Sequence, residues 1–131
     1  MTLDWTDYAA DGHHRIALNL VTKHGRASPL LGKTVSAADL TDRRNEHEDE
    51  LLLRRLKRLI PEGMRVHVLA DRSFGDVKLY ELLAHELGFA FTIRFRGCIT
   101  VETADGADGI TKTAAERVPA NGVVKILRGA K

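Results

Sequence analysis

Alternating apolar and polar residues predict five strands in the amino-acid sequence. This alternation is typical of strands that bury one face of a sheet, and it occurs over residues 1–8, 14–23, 27–35, 64–70 and 89–96. Apolar residues at helical spacing predict two helices, over residues 46–60 and 77–87. The apolar positions expected to face the core are Leu52, Leu56, Leu59 and Ile60 in the first helix and Leu79, Leu82, Leu83 and Leu87 in the second.

The order of these elements indicates an α/β fold. Three strands in a meander come first, then helix, strand, helix and strand, which is typical of a mixed sheet with helices on its faces. After Gly97 the periodicity is lost, and only residues 99–102 and 123–127 have the pattern of short strands. We therefore expect one domain over residues 1–97 and a different, incomplete element over residues 98–131.

The stretch from Met64 to Asp76 contains the best candidate for a functional residue. Its strand ends at Asp71, and α/β sheets bind their ligands at the carboxyl ends of strands. Asp76 is a suitable N-cap for the second helix. In a ribonuclease-H-like sheet the first strand lies beside the fourth, so Asp4 would face Asp71, and such a pair suits Mg²⁺. Asp7 is the alternative partner in the first strand.

Composition and charge are compatible with an ordinary globular protein. Apolar residues make up 44% of the chain and charged residues 29%, with a formal net charge of +2. This mildly basic balance allows binding to nucleic acid without indicating it. A single cysteine, Cys98, excludes an internal disulfide and suits a reducing compartment. No apolar run reaches membrane length and no signal peptide is recognisable, so we expect a cytoplasmic protein without membrane partners.

Four stretches resemble the catalytic domain of DDE-type transposases of bacterial insertion sequences. They are LDWTDY at residues 3–8, LTDRRNEHEDELLLRRLKRLIP at 40–61, VLADRSFGDVKLYELL at 68–83 and FTIRFRG at 91–97. The resemblance is to the branch with a β-rich insertion and a Y-x2-R-x3-E-x6-K motif, and it covers about residues 3–101. It implies an incomplete ribonuclease-H-like domain over residues 1–97 and the start of the β-rich insertion over 98–131.

The resemblance also implies site residues and partners. Asp4 and Asp71 match the first two catalytic acids, which would bind Mg²⁺ and catalyse strand cleavage and transfer at transposon ends. Arg72, Arg94 and Arg96 would contact double-stranded DNA, and a second transposase chain is a further expected partner.

Two features depart from the family pattern. The glutamate of the Y-R-E-K motif has no counterpart, so strand cleavage by this chain alone is not expected. Ser73 occupies a position where we expect glycine, and a positive φ there would destabilise the turn by about 1 kcal/mol.

Other interpretations of the same residues remain open. A non-enzymatic DNA-binding remnant that interferes with a full-length transposase is the main alternative. An unrelated Mg²⁺-dependent phosphoryl-transfer enzyme using Asp4 and Asp71 is another, although no phosphate-binding glycine loop supports it. The basic residues of the first helix are interpreted as a solvated face, and His13 and His14 as ordinary histidines rather than metal ligands.

Overall fold

The computed structural model describes residues 1–40, 43–94, 100–101 and 112–113. The chain divides into two compact units, Met1–Ile93 and Arg94–Lys131. The first unit contains a five-stranded sheet with two longer helical stretches, so the predicted α/β class is confirmed.

The sheet of the first unit is mixed, with strand order β3-β2-β1-β4-β5. Strands β1, β2 and β3 pair in antiparallel fashion as the predicted meander, whereas β1, β4 and β5 run parallel. Parallel pairing needs crossover connections, and the two helical stretches occupy them. The strands are β1 (Thr2–Tyr8), β2 (His13–Val21), β3 (Ala27–Ser36), β4 (His67–Ala70) and β5 (Ala90–Ile93).

The hairpin between β2 and β3 turns at Gly25, whose φ of +72° requires a residue that tolerates the left-handed region. Pro29 follows in β3, opposite Asn19, next to an irregularity in the register. Because β3 is an edge strand of this sheet, the missing N–H of the proline is tolerated there.

The first long helical stretch, α1, spans residues 44–59 and includes a π-helical segment. It consists of the α-helix Arg44–Glu46, the π-helix His47–Leu53 and the α-helix Arg54–Leu59. The prediction that Leu59 faces the core was wrong, because Leu59 is 62% exposed whereas Leu53 is 0% exposed. Leu52 and Leu56 are buried as predicted, so the buried face of α1 contains Leu52, Leu53 and Leu56, and Leu59 at the end of the stretch lies outside it.

The second long helical stretch, α2, consists of the α-helix Val77–Glu81 and the π-helix Leu82–Glu86. As predicted, Asp76 is the N-cap, and its carboxylate accepts a hydrogen bond of 2.9 Å from the Lys78 backbone N–H. The four apolar residues predicted to face the core are all buried: Leu79, Leu82, Leu83 and Leu87.

Both helical stretches pack on the same face of the sheet and form one core with it. The strands contribute residues that alternate along each chain segment, among them Leu3, Ile16, Val68 and Ile93. On the opposite face, Asp4, His67, Leu69 and Thr92 are exposed. Within residues 1–40 and 43–94, therefore, one face of the sheet carries the core, and the other is accessible and carries Leu69 as well as polar residues.

The described part of the second unit is a short antiparallel pair of strands, β6 (Thr100–Val101) and β7 (Lys112–Thr113). Strand β6 lies within the predicted strand at 99–102, whereas β7 was not predicted. The predicted strand at 123–127 lies outside the described residues. No helix in the described ranges is long and apolar enough to cross a membrane.

Candidate functional site

The parallel pairing of β1 with β4 brings Asp4 and Asp71 together. Thr2 lies opposite Leu69 and Leu3 opposite Ala70 in this pairing. The pairing ends at Leu3 and Ala70, and Asp4 and Asp71 are the next residue of each segment. Asp71 keeps an extended backbone, with φ −81° and ψ −176°. Because neighbouring strands are about 4.8 Å apart, the two exposed residues lie close to each other at this end of the pairing.

The two carboxylates also lie on the same face of the sheet. Leu3 is buried in the core and Ala70 packs against it, and successive side chains of a strand point to opposite faces. Asp4 and Asp71 therefore point to the accessible face.

The chemistry of this pair fits a hard divalent cation. Mg²⁺ in proteins is commonly bound by one or two carboxylates together with phosphate oxygens of the substrate. Within the described residues no group of three or more His, Cys, Asp or Glu side chains could hold a metal ion. The carboxylates of Asp4 and Asp71 are therefore two candidate metal ligands.

Asp71 is held by the turn that follows β4. Residues Arg72–Phe74 form a 3-10 helix with Asp71 as its N-cap. Asp71 Oδ1 accepts a hydrogen bond of 2.8 Å from the Ser73 backbone N–H and one of 2.5 Å from the Ser73 hydroxyl. Because a 3-10 helix has a right-handed backbone, serine is accommodated at this position without the positive φ that would favour glycine.

Asp7, the alternative to Asp4, is engaged elsewhere. Its Oδ1 lies 2.5 Å from His14 Nδ1 and 3.7 Å from Arg44 Nη2. Asp7 is three positions from Asp4 in β1 and therefore points to the opposite face. His14 is accounted for by this contact with Asp7, which agrees with its interpretation as an ordinary histidine.

The arginines predicted to bind DNA are only partly described. Arg72 is exposed in the turn directly after Asp71, and Arg94 is exposed immediately after β5. Arg96 lies outside the described residues.

Several basic side chains of α1 make contacts within the fold. The Arg44 guanidinium lies 5.4 Å from the centre of the Trp5 ring, and Lys57 Nζ lies 5.5 Å from that of Phe89. Arg54 forms an ion pair of 2.7 Å with Glu86. All three side chains are nevertheless exposed, as predicted for a solvated helix face.

Sequence reasoning missed Arg15, which shares the accessible face with Asp4. Arg15 lies opposite Thr6 in the β1–β2 pairing, two positions from Asp4 in β1. A Cβ atom on Gly32 would lie 3.4 Å from Arg15 Nε, so the guanidinium extends across this glycine. The register of β2 against β1 is the signal that identifies Arg15, and it is not evident from the strand pattern alone.

A surface pocket of about 490 Å³ lies apart from the acidic pair, near the start of α1. Lys33 Nζ lies 3.3 Å from His47 Nδ1 within it. Burial, and secondarily the positive charge of Lys33, lower the pKa of His47 below its ordinary value. The lining residues are Lys33, Val35, Ala38, Asp39, Arg43, Glu46 and His47.

The chain matches no protein-family model, no curated protein and no solved structure. A function for the chain therefore has to be argued from its sequence motifs and from the placement of Asp4 beside Asp71.

Proposed function

We propose that this chain is part of the catalytic domain of a DDE-type transposase, with Asp4 and Asp71 as the first two catalytic acids. The observation that carries the proposal is the β1–β4 register, in which Leu3 lies opposite Ala70. That register makes neighbours of two acids that are far apart in the sequence. They are the acids that match the first two catalytic acids of the family, in the motifs LDWTDY and VLADRSFGDVKLYELL.

The strand order supports the finer proposal that the sheet is ribonuclease-H-like. In that fold the first strand of a three-stranded meander lies beside the fourth strand. Here β1 lies between β2 of the meander and the parallel strand β4.

Asp4 and Asp71 would hold a divalent cation on the accessible face of the sheet. When bound there, Mg²⁺ supplies stabilisation of the negative charge that develops on phosphate oxygens during phosphoryl transfer. The two carboxylates contribute negative charge and hard oxygen donors, and their neighbouring strands fix the separation between them. The exposure of both residues leaves room for a bulky substrate such as a nucleic acid.

Double-stranded DNA is the proposed partner, and arginines on the same unit would contact its phosphates. Arg72 follows Asp71 directly, and Arg15 is on the face to which Asp4 points. Arg94 and Arg96 belong to the second unit and are candidates from the sequence motif alone. A cytoplasmic location and association with a second transposase chain belong to the same proposal.

Binding of a paramagnetic metal tests the acidic pair directly. Mn²⁺ titrated into the ¹⁵N-labelled chain should first broaden the amide signals of residues next to Asp4 and Asp71. Asp4→Asn and Asp71→Asn should each weaken this effect, because each replacement removes a negative charge. Asp76→Asn is the matched control, since Asp76 is also a capping acid but lies outside the pair, and it should leave the effect unchanged.

Two results would overturn the proposed metal site. One is the absence of local broadening around both acids at millimolar Mn²⁺. The other is broadening that persists unchanged in both Asp4→Asn and Asp71→Asn. Either result would show that the two carboxylates do not act as a pair.

DNA binding and cleavage are tested separately. Fluorescence anisotropy with a labelled duplex should show binding that weakens as salt rises, as expected for phosphate contacts. We expect no strand cleavage with Mg²⁺ or Mn²⁺, since the resemblance includes only two of the three acids. Salt-dependent DNA binding without metal binding at Asp71 would favour the alternative, a non-enzymatic DNA-binding remnant, whereas no binding at low salt would exclude both.

A further inference from the structure

The start of α1 contacts β3 through two side chains that can both carry a positive charge. Lys33 lies opposite the buried Ile16 in the β2–β3 pairing, so it points to the core face of the sheet, on which α1 packs. There Lys33 Nζ lies 3.3 Å from His47 Nδ1. Both residues are half-buried, so the contact forms part of the packing between α1 and the sheet.

The contact between Lys33 and His47 requires a neutral imidazole. An ammonium group has donors and no acceptor, so Lys33 donates the hydrogen bond and His47 Nδ1 accepts it. In the neutral ring the proton is therefore on Nε2. When His47 takes up a second proton, both ring nitrogens become donors, and the hydrogen bond is replaced by repulsion between two positive charges.

The surroundings of His47 disfavour this second proton. Burial is the largest cause of its lowered pKa, and the charge of Lys33 on β3 is the next. Arg43, just before α1, acts in the same direction, whereas Glu46 in α1 and Asp39 in the 3-10 helix after β3 favour protonation. Among the described residues no carboxylate forms an ion pair with Lys33 or His47, so the repulsion is not neutralised by direct contact.

The position of the contact allows the start of α1 to separate from β3 without unfolding the core. Lys33 and His47 line the surface pocket of about 490 Å³, so both side chains border open space. Val35 lines the same pocket and is only 8% exposed, so separation would expose it. Further along α1, Leu53 and Leu56 are fully buried in the core, which limits the separation to the start of the stretch.

We propose that the Lys33–His47 contact is an acid-sensitive switch, which releases the start of α1 from β3 when His47 is protonated. The switch is independent of the proposed function, since neither Asp4 nor Asp71 takes part in it. At neutral pH the contact is formed. In the released state His47 binds a proton with its ordinary pKa of 6.5, whereas in the closed state its pKa is lower. Between these two values, release therefore becomes about tenfold more frequent for each unit by which the pH falls.

Hydrogen exchange of backbone amides, followed by NMR at a series of pH values, measures the release directly. The His47 amide, which donates to the Arg44 carbonyl, reports on the start of α1. Its protection factor should fall by about tenfold for each pH unit in this interval. The amides of Ile16 and Leu18 in β2 should change much less, and the Val35 methyl signals should shift together with the loss of protection.

Substitutions on both sides of the contact test its charge. His47→Gln keeps an acceptor for Lys33 but does not titrate, so the acid response at the start of α1 should disappear. Lys33→Met should weaken the response only in part, because the burial of His47 remains. Lys33→Glu should reverse its direction, because a carboxylate beside His47 stabilises the protonated ring, so that protection should increase as the pH falls.

His14→Gln is the matched control. His14 is also a half-buried histidine on the core face of the sheet, but its Nδ1 contacts Asp7 rather than a cation. The acid response at the start of α1 should remain unchanged in this variant. Urea denaturation at pH 7.5, where His47 is mostly neutral, checks that each variant is folded, and if Lys33→Glu does not fold, Lys33→Met decides the role of the lysine.

Four results would overturn the switch. They are protection at the start of α1 that does not depend on pH, an acid response that persists in His47→Gln, a response of equal size in Lys33→Met and the unchanged chain, and an equal loss of protection in β2. The last result would show that acid destabilises the whole unit rather than the start of α1. None of these results bears on metal binding at Asp4 and Asp71, so the proposed function stands or fails separately.

Discussion

Leu3 lies opposite Ala70 in the parallel pairing of β1 with β4, and this contact determines where the acids lie. Both residues belong to the core face of the sheet, so the next residue of each strand points away from the core. A shift of the register by one residue would move Asp4 away from Asp71 and turn apolar side chains to solvent. Burial of Leu3 thus stabilises the same register that pairs the acids.

Alanine at the two acids should affect stability differently. Asp4→Ala should change the free energy of unfolding by less than about 0.5 kcal/mol, because Asp4 is exposed in the middle of β1 and does not cap a helix there. Asp71→Ala should lower it by about 1 kcal/mol, because the 3-10 helix loses its N-cap. Urea denaturation of both variants measures the difference, and equal losses would contradict the described cap.

Asp76→Ala tests a helix cap that is not part of the acidic pair. It removes the acceptor of the Lys78 N–H at the start of α2, so stability should again fall by about 1 kcal/mol. Mn²⁺ binding at Asp4 and Asp71 should remain unchanged. A loss of Mn²⁺ binding in this variant would mean that the metal site depends on α2 rather than on the two carboxylates.

The buried face of α1 can be tested with two leucines. Leu53→Ala should lower the free energy of unfolding by about 2–5 kcal/mol, because Leu53 is 0% exposed. Leu59→Ala should change it by less than about 0.5 kcal/mol, because Leu59 is 62% exposed. Denaturation curves of the two variants give the comparison, and a larger loss in Leu59→Ala would contradict the described burial.

Much of the fold of residues 1–94 follows from local pattern. Strand alternation and helical spacing predict every element of the five-stranded sheet, and Asp76 is recognisable as a cap from its position before an apolar stripe. The π-helix in α1 was not predictable, because leucines at positions 52, 53, 56 and 59 allow more than one apolar face. The choice between these faces depends on packing against the sheet, which no local pattern contains.

Some residues of the candidate site could be identified from the sequence, and others only from the structure. Asp71 was identified because it follows an apolar strand, and Asp4 because it matches the first catalytic acid of the family motif and would face Asp71 in a ribonuclease-H-like sheet. The contribution of Ser73 depends on the geometry of a turn, and that of Arg15 depends on which residue of β1 lies opposite it. Both are relationships between side chains rather than properties of a sequence pattern, so only the structure identifies them.

Arg15 should contribute to DNA binding if the accessible face of the sheet meets the duplex. Among the described residues Arg15 forms no ion pair, so its charge is not neutralised within the described fold. Arg15→Ala should weaken duplex binding and reduce the slope of log affinity against log salt by about 1. Arg26→Ala, an exposed arginine in the β2–β3 turn, is the charge-matched control, and equal effects of the two variants would contradict a specific role for Arg15.

His47 should make stability depend on pH. Burial and the Lys33 charge lower its pKa in the folded chain, and Arg43 acts in the same direction, whereas Glu46 and Asp39 oppose the shift. Between the lowered pKa and the ordinary value of 6.5, the unfolded chain binds more protons than the folded chain, so stability falls as pH decreases through this interval. Above it the histidine is neutral in both states and contributes no pH dependence.

Replacing the His47 ring isolates the contribution of this histidine to the pH dependence of stability. His47→Gln should lose less stability than the unchanged chain when the pH is lowered from 7.5 to about 5, measured as the change in Tm across a pH series. Lys33→Met should reduce the loss of stability at low pH only in part, because burial, the larger cause of the pKa shift of His47, remains. If His47→Gln and the unchanged chain show the same pH dependence, the acid sensitivity arises from other groups and His47 is not held in the neutral form by the fold.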